Sequence, residues 1–538
     1  MSTAVRVLPW AIALLVAVWA GAPITTNDLF WHVKTGEHLW SVGAFPDRDP
    51  FSFTTARLPW VLHEWLTQLL FAGLHALGGL GLLRALTAAM ALVIFGLFLR
   101  LARRRLGSPW LVAPTVLAFA LLVACRMQTR PTLWSIALIL VLVDWLSGKR
   151  GPWRVRDAIA LVSLVVVWVN LHSVGLVALP LYGAFLVGLL ARALTRPDAT
   201  TTPRQLWLHA ATLFAAALAG CANPIGWRLY PFAFQDKSSV MNFVTDEWGA
   251  FHLDWQANAD LPVSAYVTVL SILAVLLACY LLHGFALQRE TVRRRSPLLP
   301  DPVQLALLIS CVGAALLARR FLWLAAVALV LGLAQLLRLF ELGALTTLRT
   351  RARGAAVRVV AAVLCAGATV TLYVAVLPYE RAPLHAASSR GGYWTRTIAP
   401  SLDLPGIRFL RDTGIEGNAF CHYGSGGMLS YWLYPRVKVF IDSRADLYRR
   451  KVLLDFLAVR DGRDATRILE AYGADIFYRH WEIRPLRDPR GWRQVYRGPD
   501  GEIWLRDTLR NRANFARVAQ WQRAAAEQRR LAAAARPQ

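Results

Sequence analysis

Apolar stretches close to the roughly 20 residues that cross a hydrocarbon core recur at 7–23, 81–100, 110–125, 132–147, 157–171, 173–192, 206–221, 263–283, 302–318, 321–337 and 358–378. This pattern predicts a polytopic α-helical membrane bundle of about eleven transmembrane helices over residues 1–378. Basic clusters follow alternate stretches: Arg100 with Arg103 to Arg105, Lys149 and Arg150 with Arg154 and Arg156, Arg192 with Arg196 and Arg204, Arg289 with Arg293 to Arg295, and Arg338 with Arg349, Arg351 and Arg353. Cytoplasmic connections carry such excess positive charge, so the expected topology is N-in/C-out. The first stretch reads as a span rather than a cleaved signal peptide. Ala20-Gly21-Ala22 has the small residues of a cleavage site, but Pro23 follows it directly.

With this orientation the long polar connections 24–65 and 222–262 face outward. Beyond 378 the long apolar period ends, and 379–509 reads as an extracytoplasmic α/β domain. Its expected strands are Ala419–His422, Val437–Ile441, Asp475–Tyr478, Gln494–Tyr496 and Ile503–Leu505, with helices near 405–413, 449–459 and 463–472. The remaining 510–538 is an Ala/Arg-rich helix, solvated or lying on the membrane surface.

Composition supports the membrane reading: 56% of the 538 residues are hydrophobic and 17% charged, too greasy for an ordinary soluble protein. The net charge of +26 would suggest nucleic acid if the arginines lined one soluble face. They punctuate apolar runs instead, which excludes nucleic acid and points to anionic lipid. Six cysteines without C-x-x-C spacing imply neither a zinc site nor a disulfide framework, although Cys125 and Cys221 both lie near outer helix ends and could pair.

The ionisable and aromatic residues gather in the outer connections. Read as a helix, the segment from Asp28 puts Leu29, Phe30 and Val33 on one side and Asp28, His32 and Thr35 on another, presenting a carboxylate and an imidazole together just above the bilayer. The bland alternative is a capping box, Thr25-x-x-Asp28. Further outer candidates are Asp49, the pair His63 and Glu64, His172, Asn223 and Glu247; each serves equally as turn or helix-end chemistry. Gly424-Ser425-Gly426-Gly427 could hold an anion at a helix start or simply make a tight turn. Asp442, Arg444 and Asp446 form either a loop-fixing ion pair or a contact to substrate or bundle.

Asp28 just after the first span, Trp31-His32, Gly36-Glu37, Asp49-Pro50-Phe51-Ser52 and His63-Glu64-Trp65 together resemble the GT-C superfamily of membrane glycosyltransferases, in particular bacterial members with an outward C-terminal domain. Arg130-Pro131, Asn223-Pro224 with Gly226-Trp227, and Phe440-Ile441-Asp442-Ser443-Arg444-Ala445-Asp446 extend the likeness over most of the chain.

The resemblance implies a transferase that moves a sugar from a polyprenyl-phosphate donor to a glycan, lipid or protein acceptor at the outer face of the cytoplasmic membrane. Asp28 matches the catalytic acid of the first outer loop, with His32 beside it. A lipid-phosphate donor already has a good leaving group, so the remaining needs are a base for the acceptor and positive charge for the phosphate. Arg130, Arg228, Arg319 and Arg320, at outer helix ends, are the candidates for the latter, or else interfacial anchors. The resemblance leaves room for a divalent cation, Mg or Mn. Asn27 stands where a second acid might be, and one carboxylate with an imidazole makes a poor cage for a hard cation. The rival reading is a non-catalytic translocation or envelope-assembly protein that binds lipid or glycan; the scarcity of ionisable residues within the spans argues against passage through the bundle.

Overall fold

The structure, a computed structural model, describes residues 3–55, 59–234, 249–254, 256–258, 261–289, 299–341, 397–399, 402 and 405–534. The expected span at 358–378 and the candidate Glu247 lie outside the described residues. The helices are α1 (Thr3–Ala20), α2 (Asp28–Val42), α3 (Trp65–Leu106), α4 (Pro109–Val123), α5 (Thr132–Gly148), α6 (Val155–Leu171), α7 (Ala178–Thr195), α8 (Pro203–Ala219), α9 (Leu229–Phe234), α10 (Val263–Arg289), α11 (Pro302–Leu317) and α12 (Leu324–Glu341). Among the described residues four helical stretches are long and apolar enough to cross a membrane: Trp65–Leu106, Pro109–Arg126, Ser173–Thr195 and Val263–Gly284. Arg6–Ala20, Thr132–Gly148, Pro302–Leu317 and Leu324–Leu339 are apolar but shorter. The expected number of about eleven spans is therefore not met by helix length, because polar hinges such as 126–131 and 318–320 end many helices early.

The run expected at 81–100 belongs to a longer helix. α3 starts at Trp65 and bends at Gly78 and Gly79, where Gly79 has φ 61° and ψ −161°, a conformation open to glycine alone. α12 is apolar on every side, and Ala325 to Leu331 are all buried: it runs through the middle of the bundle rather than along its surface. Lipid tails are as apolar as these side chains, so close fit rather than exclusion of water holds the helices together. Phe98 and Phe119 stack at 4.1 Å. Gly188 lets α7 press on α11, since a Cβ there would sit 2.5 Å from Val303 Cα. Cys125 and Cys221 form no disulfide with each other.

The C-terminal region holds α13 (Pro405–Thr413), β1 (Gly417–Phe420), α14 (Gly426–Leu433), β2 (Val437–Val439), α15 (Arg450–Arg460), α16 (Ala465–Ala471), β3 (Ile476–His480), β4 (Trp492–Gly498), β5 (Gly501–Arg506) and α17 (Arg512–Ala534). All five expected strands form, to within a few residues. The sheet order is β2-β1-β3-β5-β4; β2, β1 and β3 run parallel, and the β4–β5 hairpin joins antiparallel. Strand alternation separates two cores: Phe420, Phe477 and Trp504 face one layer, and Ala419, Ile476, Ile503 and Leu505 the other. The first half of α17 docks rather than floats. Asn511 and Asn514 bond the backbone at Asp475, Arg506 and Glu416, and Trp521 packs edge-on against Phe409.

The connection between α2 and α3 is stitched to this sheet. Val439 N–H donates to Phe51 O at 3.0 Å and Phe53 N–H donates to Val439 O at 3.1 Å, so residues 51–53 cover the open edge of β2. Arg444 locks the seam. Buried, it bonds both Asp49 oxygens at 2.9 and 3.2 Å and both Asp442 oxygens, with Trp60 and Phe51 stacked 5.0 and 5.4 Å away. The Asp442–Arg444 pair fixes its own loop and also contacts the bundle's loop through Asp49.

Candidate functional site

α2 lies across the first turns of α3, seated by Leu29, Phe30 and Val33, all fully buried. The crossing is tight at Gly36, where a Cβ would meet Gln68 O at 2.0 Å. This crossing carries Asp28 and His32 to the start of α3, where Glu64 stands. Thr25 is not the cap the sequence suggested. Asn27 takes the N-cap position, with no side-chain cap bond, which leaves the Asp28 carboxylate to Arg130 Nη2 at 3.0 Å. Arg130 Nε donates to Thr26 Oγ1 at 3.0 Å.

Asp28, His32, His63, Glu64, Arg130 and Arg320 line one cavity of about 450 Å³ together with His172. Its far wall comes from the C-terminal region: Tyr423, Gly424 and Asp446. The glycines of 424–427 are packing devices. A Cβ on Gly424 would lie 2.7 Å from Asn27 Nδ2, and one on Gly426 2.0 Å from Ile441 O, so the short helix α14 can sit directly over the start of α2.

Glu64 is surrounded by imidazoles: His172 Nε2 at 3.2 Å, and His32 Nδ1 and His63 Nε2 at 3.8 Å each. The ionised Glu64 can only accept, so His172 Nε2 carries the proton given to it. Nδ1 then accepts from the Ser135 hydroxyl at 2.7 Å, and the Ser135 oxygen accepts from Trp168 Nε1 at 2.8 Å. Burial opposes ionisation of Glu64, but attraction to His63, the hydrogen bond from His172 and attraction to His32, whose ring gains its charge only as the pH falls toward 4, outweigh it and hold the group well below the usual carboxylate range. Burial pulls His32 the other way, from 6.5 down to about 4 against the attraction of Glu64 and Asp28, so its ring is neutral near pH 7. Trp31 lies against that ring, 3.6 Å between centroids. In Tyr423 the phenol is pushed well above its ordinary value, by burial first and then by the charges of Asp28, Asp442 and Asp446.

Three buried polar atoms in this wall have no hydrogen-bond partner: Trp31 Nε1, His32 Nδ1 and Gln68 Oε1. Native folds rarely leave such atoms unmatched without a functional reason. The Trp31 indole is a donor and the Gln68 oxygen an acceptor, and unmatched groups on residues that line a cavity suit a hydroxyl-rich ligand. Gln68 and Tyr423 were not singled out by sequence reasoning, and Trp31 entered it only through the Trp31-His32 pair.

The other candidates fall elsewhere. Arg319 is buried with Nε on Ala250 O and Nη2 on Ala257 O, because the returning loop needs a donor for its carbonyls; it is not a cavity residue. Arg228 is exposed and also outside the cavity lining. Asn223 holds its own turn, bonding Gly220 O and the Ile225 N–H. A divalent cation finds a poor donor set: Asp28 is committed to Arg130 and Glu64 to imidazoles, and among the described residues no group of three His, Cys, Asp or Glu side chains is disposed to hold a metal ion. Hard cations need several oxygen ligands, and no step below runs through one.

A helical bundle with a polar cavity at one end, walled by a small α/β unit, defines the class of architecture to which this chain belongs. The archaeal oligosaccharyltransferase AglB from Archaeoglobus fulgidus, in complex with an inhibitory peptide and a dolichol-phosphate, shares this fold: the TM-score is 0.54 at 11% identity, over 94% of this chain and 75% of that one. The apo crystal structure of the Archaeoglobus fulgidus oligosaccharyltransferase aligns at a TM-score of 0.49 and 12% identity, over 89% of this chain and 70% of that one. No protein-family model matches the chain, and no curated protein matches it by sequence.

Proposed function

We propose that this chain is a membrane glycosyltransferase of the GT-C type, which moves a sugar from a polyprenyl-phosphate donor to a glycan, lipid or peptide acceptor. The observation that carries this reading is the meeting of Asp28, Arg130 and Arg320 with the unmatched polar atoms of Trp31, His32 and Gln68 in one cavity at the end of an apolar bundle. The AglB complex with dolichol-phosphate and a peptide supports the choice of donor and acceptor class.

In this reading the acceptor hydroxyl or amide passes its proton to Asp28 as its heteroatom bonds the anomeric carbon. The bond from that carbon to the phosphate oxygen breaks, and polyprenyl phosphate leaves with the electron pair. Arg130 and Arg320 stabilise the charge that develops on the phosphate. The Arg130 contact orients the Asp28 carboxylate before the acceptor arrives. Glu64 and its imidazoles act as positioning residues, holding His32 and the start of α3. The site faces the outer side of the cytoplasmic membrane, with the 379–509 domain extracytoplasmic, an orientation supported by the arginine asymmetry. Incubation of purified full-length protein with a panel of polyprenyl-phosphate sugars tests this. Release of polyprenyl phosphate by the wild type and not by Asp28→Asn is expected. Donor binding without release under every acceptor tried would favour the rival reading, a lipid- or glycan-binding assembly protein.

A further inference from the structure

α3, α5, α7 and α12 start at or near the candidate site, and α11 ends there. Their opposite ends, sixteen or more residues along each helix, converge on a second cavity of about 600 Å³. Along α5, α7, α11 and α12, at 1.5 Å per residue, the two cavities lie on the order of 25 Å apart.

The second cavity is walled by Arg104, Arg105, Arg150, Arg192, Arg196 and Arg338. Two acids, Asp198 and Asp301, also line it, leaving an excess of four positive charges (six minus two). Asp301 is already committed to Arg192, at 2.6 and 2.8 Å. Arg105 donates through Nη2 to Asp144 O and Ser147 Oγ, and Gly148 makes room for it, since a Cβ there would lie 2.7 Å from Nη2. Its side chain is only 9% exposed, yet its Nε has no hydrogen-bond partner. Arg196 repeats the pattern: Nη2 is held by Leu299 O and Pro300 O, and the buried Nε has no partner. Burial and the neighbouring charge of Arg338 pull the Arg196 guanidinium below its usual range.

Positive charge at the cytoplasmic ends of spans is expected from the rule that orients them, but that rule calls for solvated arginines. It accounts neither for a concave site nor for buried guanidinium nitrogens left unmatched. A ligand with several charged oxygens would match both the excess charge and the planar donors. We infer that this cavity binds a phosphate-bearing anion, either the headgroup of an anionic phospholipid or a soluble phosphate or pyrophosphate. The inference stands independently of the transfer reaction at the other end.

Full-length protein in neutral detergent, exchanged against phosphatidylglycerol, cardiolipin or phosphatidylcholine and read by native mass spectrometry, tests the lipid source. Titration with inorganic phosphate or pyrophosphate at fixed salt tests the soluble one. The double variant Arg150→Gln/Arg338→Gln should weaken the anion that binds by about tenfold or more, the loss expected for a charge-assisted bond. The control Arg463→Gln/Arg467→Gln, which removes the same charge from the C-terminal surface, should leave it nearly unchanged. Binding of anionic lipid alone identifies the headgroup, and equal binding of pyrophosphate identifies the soluble ligand. Should the double variant fail to fold, Arg338→Gln carries the comparison. Anionic ligands binding no better than phosphatidylcholine, or equal losses in cavity and control variants, would overturn the inference.

Discussion

Arg130 reaches two residues at the start of α2 at once, with Nη2 3.0 Å from the Asp28 carboxylate and Nε 3.0 Å from Thr26 Oγ1. One guanidinium therefore both aims the proposed base and adds positive charge to the cavity. Asp28→Asn keeps the size of the side chain and the start of α2, because Asn27 rather than Asp28 occupies the cap position. Transfer should fall by about 10²–10⁴, the range for loss of a general base, with the melting temperature nearly unchanged. Arg130→Gln should weaken donor binding as well. If Asp28 served only to hold Arg130, the two single variants and the double variant would lose the same activity, which a double-mutant cycle resolves.

Gly36 is the contact point of α2 and α3, and the missing Cβ would stand 2.0 Å from a backbone oxygen. Gly36→Ala should therefore cost about 1–3 kcal/mol through overpacking and displace Asp28 and His32 together. The expected result is a lower melting temperature with reduced transfer. Gly43→Ala at the end of the same helix, where no neighbour lies within 4 Å but φ is 68°, should cost about 1 kcal/mol of left-handed strain and leave transfer largely intact.

Arg444 is enclosed by the carboxylates of Asp49 and Asp442. Arg444→Gln leaves two buried negative charges uncompensated, a change that costs about 3–5 kcal/mol. It should also free residues 44–55 from the edge of β2, read as new protease cleavage there. A variant as resistant as the wild type would mean that the strand pairing alone holds the seam.

Acid should destabilise the fold in a defined window. The His32 imidazole drops from 6.5 to about 4 on folding, so between those values the unfolded chain binds the extra proton and stability falls as pH falls. At about 1.4 kcal/mol per pKa unit the loss approaches roughly 3 kcal/mol. Glu64, held below the usual carboxylate range, contributes stability above its unfolded value and loses it at still lower pH. Melting temperatures in detergent should decline from pH 6.5 toward 4, and His32→Gln should flatten part of that slope. His172, His38 and His422, also lowered by burial, contribute to the remainder. An unchanged slope in the variant would show that His32 is protonated in the folded protein.

The proposed orientation places Ser41 and Arg467 on one side of the membrane and Ala199 on the other; all three are exposed. Cysteines introduced at Ser41 and Arg467 should react with an impermeant thiol reagent in intact cells, and one at Ala199 only after permeabilisation. The reverse pattern would turn the candidate site toward the cytoplasm and remove the proposed mechanism.

What the sequence determined by itself were properties that live within a short window. Hydrophobic runs mark where helices form, arginine spacing marks their ends, and period-2 alternation marks the strands from Gly417 to Arg506, since each depends on neighbours a few residues away. The stretch from Asp28 to Thr35 was legible as a helix presenting a carboxylate and an imidazole for the same reason. Partners far apart in the chain were not legible. Glu64 meeting His172, Arg444 closing on Asp49, Tyr423 roofing Asp28, and Arg319 spending its donors on the 250–257 loop while Arg320 turns to the cavity are all decided by how helices cross and where loops return. Helix length was misjudged in the same way: apolarity marks where a segment is compatible with lipid or core, and it does not tell how far the packed helix runs before a hinge such as 318–320 ends it. Only the packed structure sorts lipid from core, because burial is a property of the neighbours rather than of the segment.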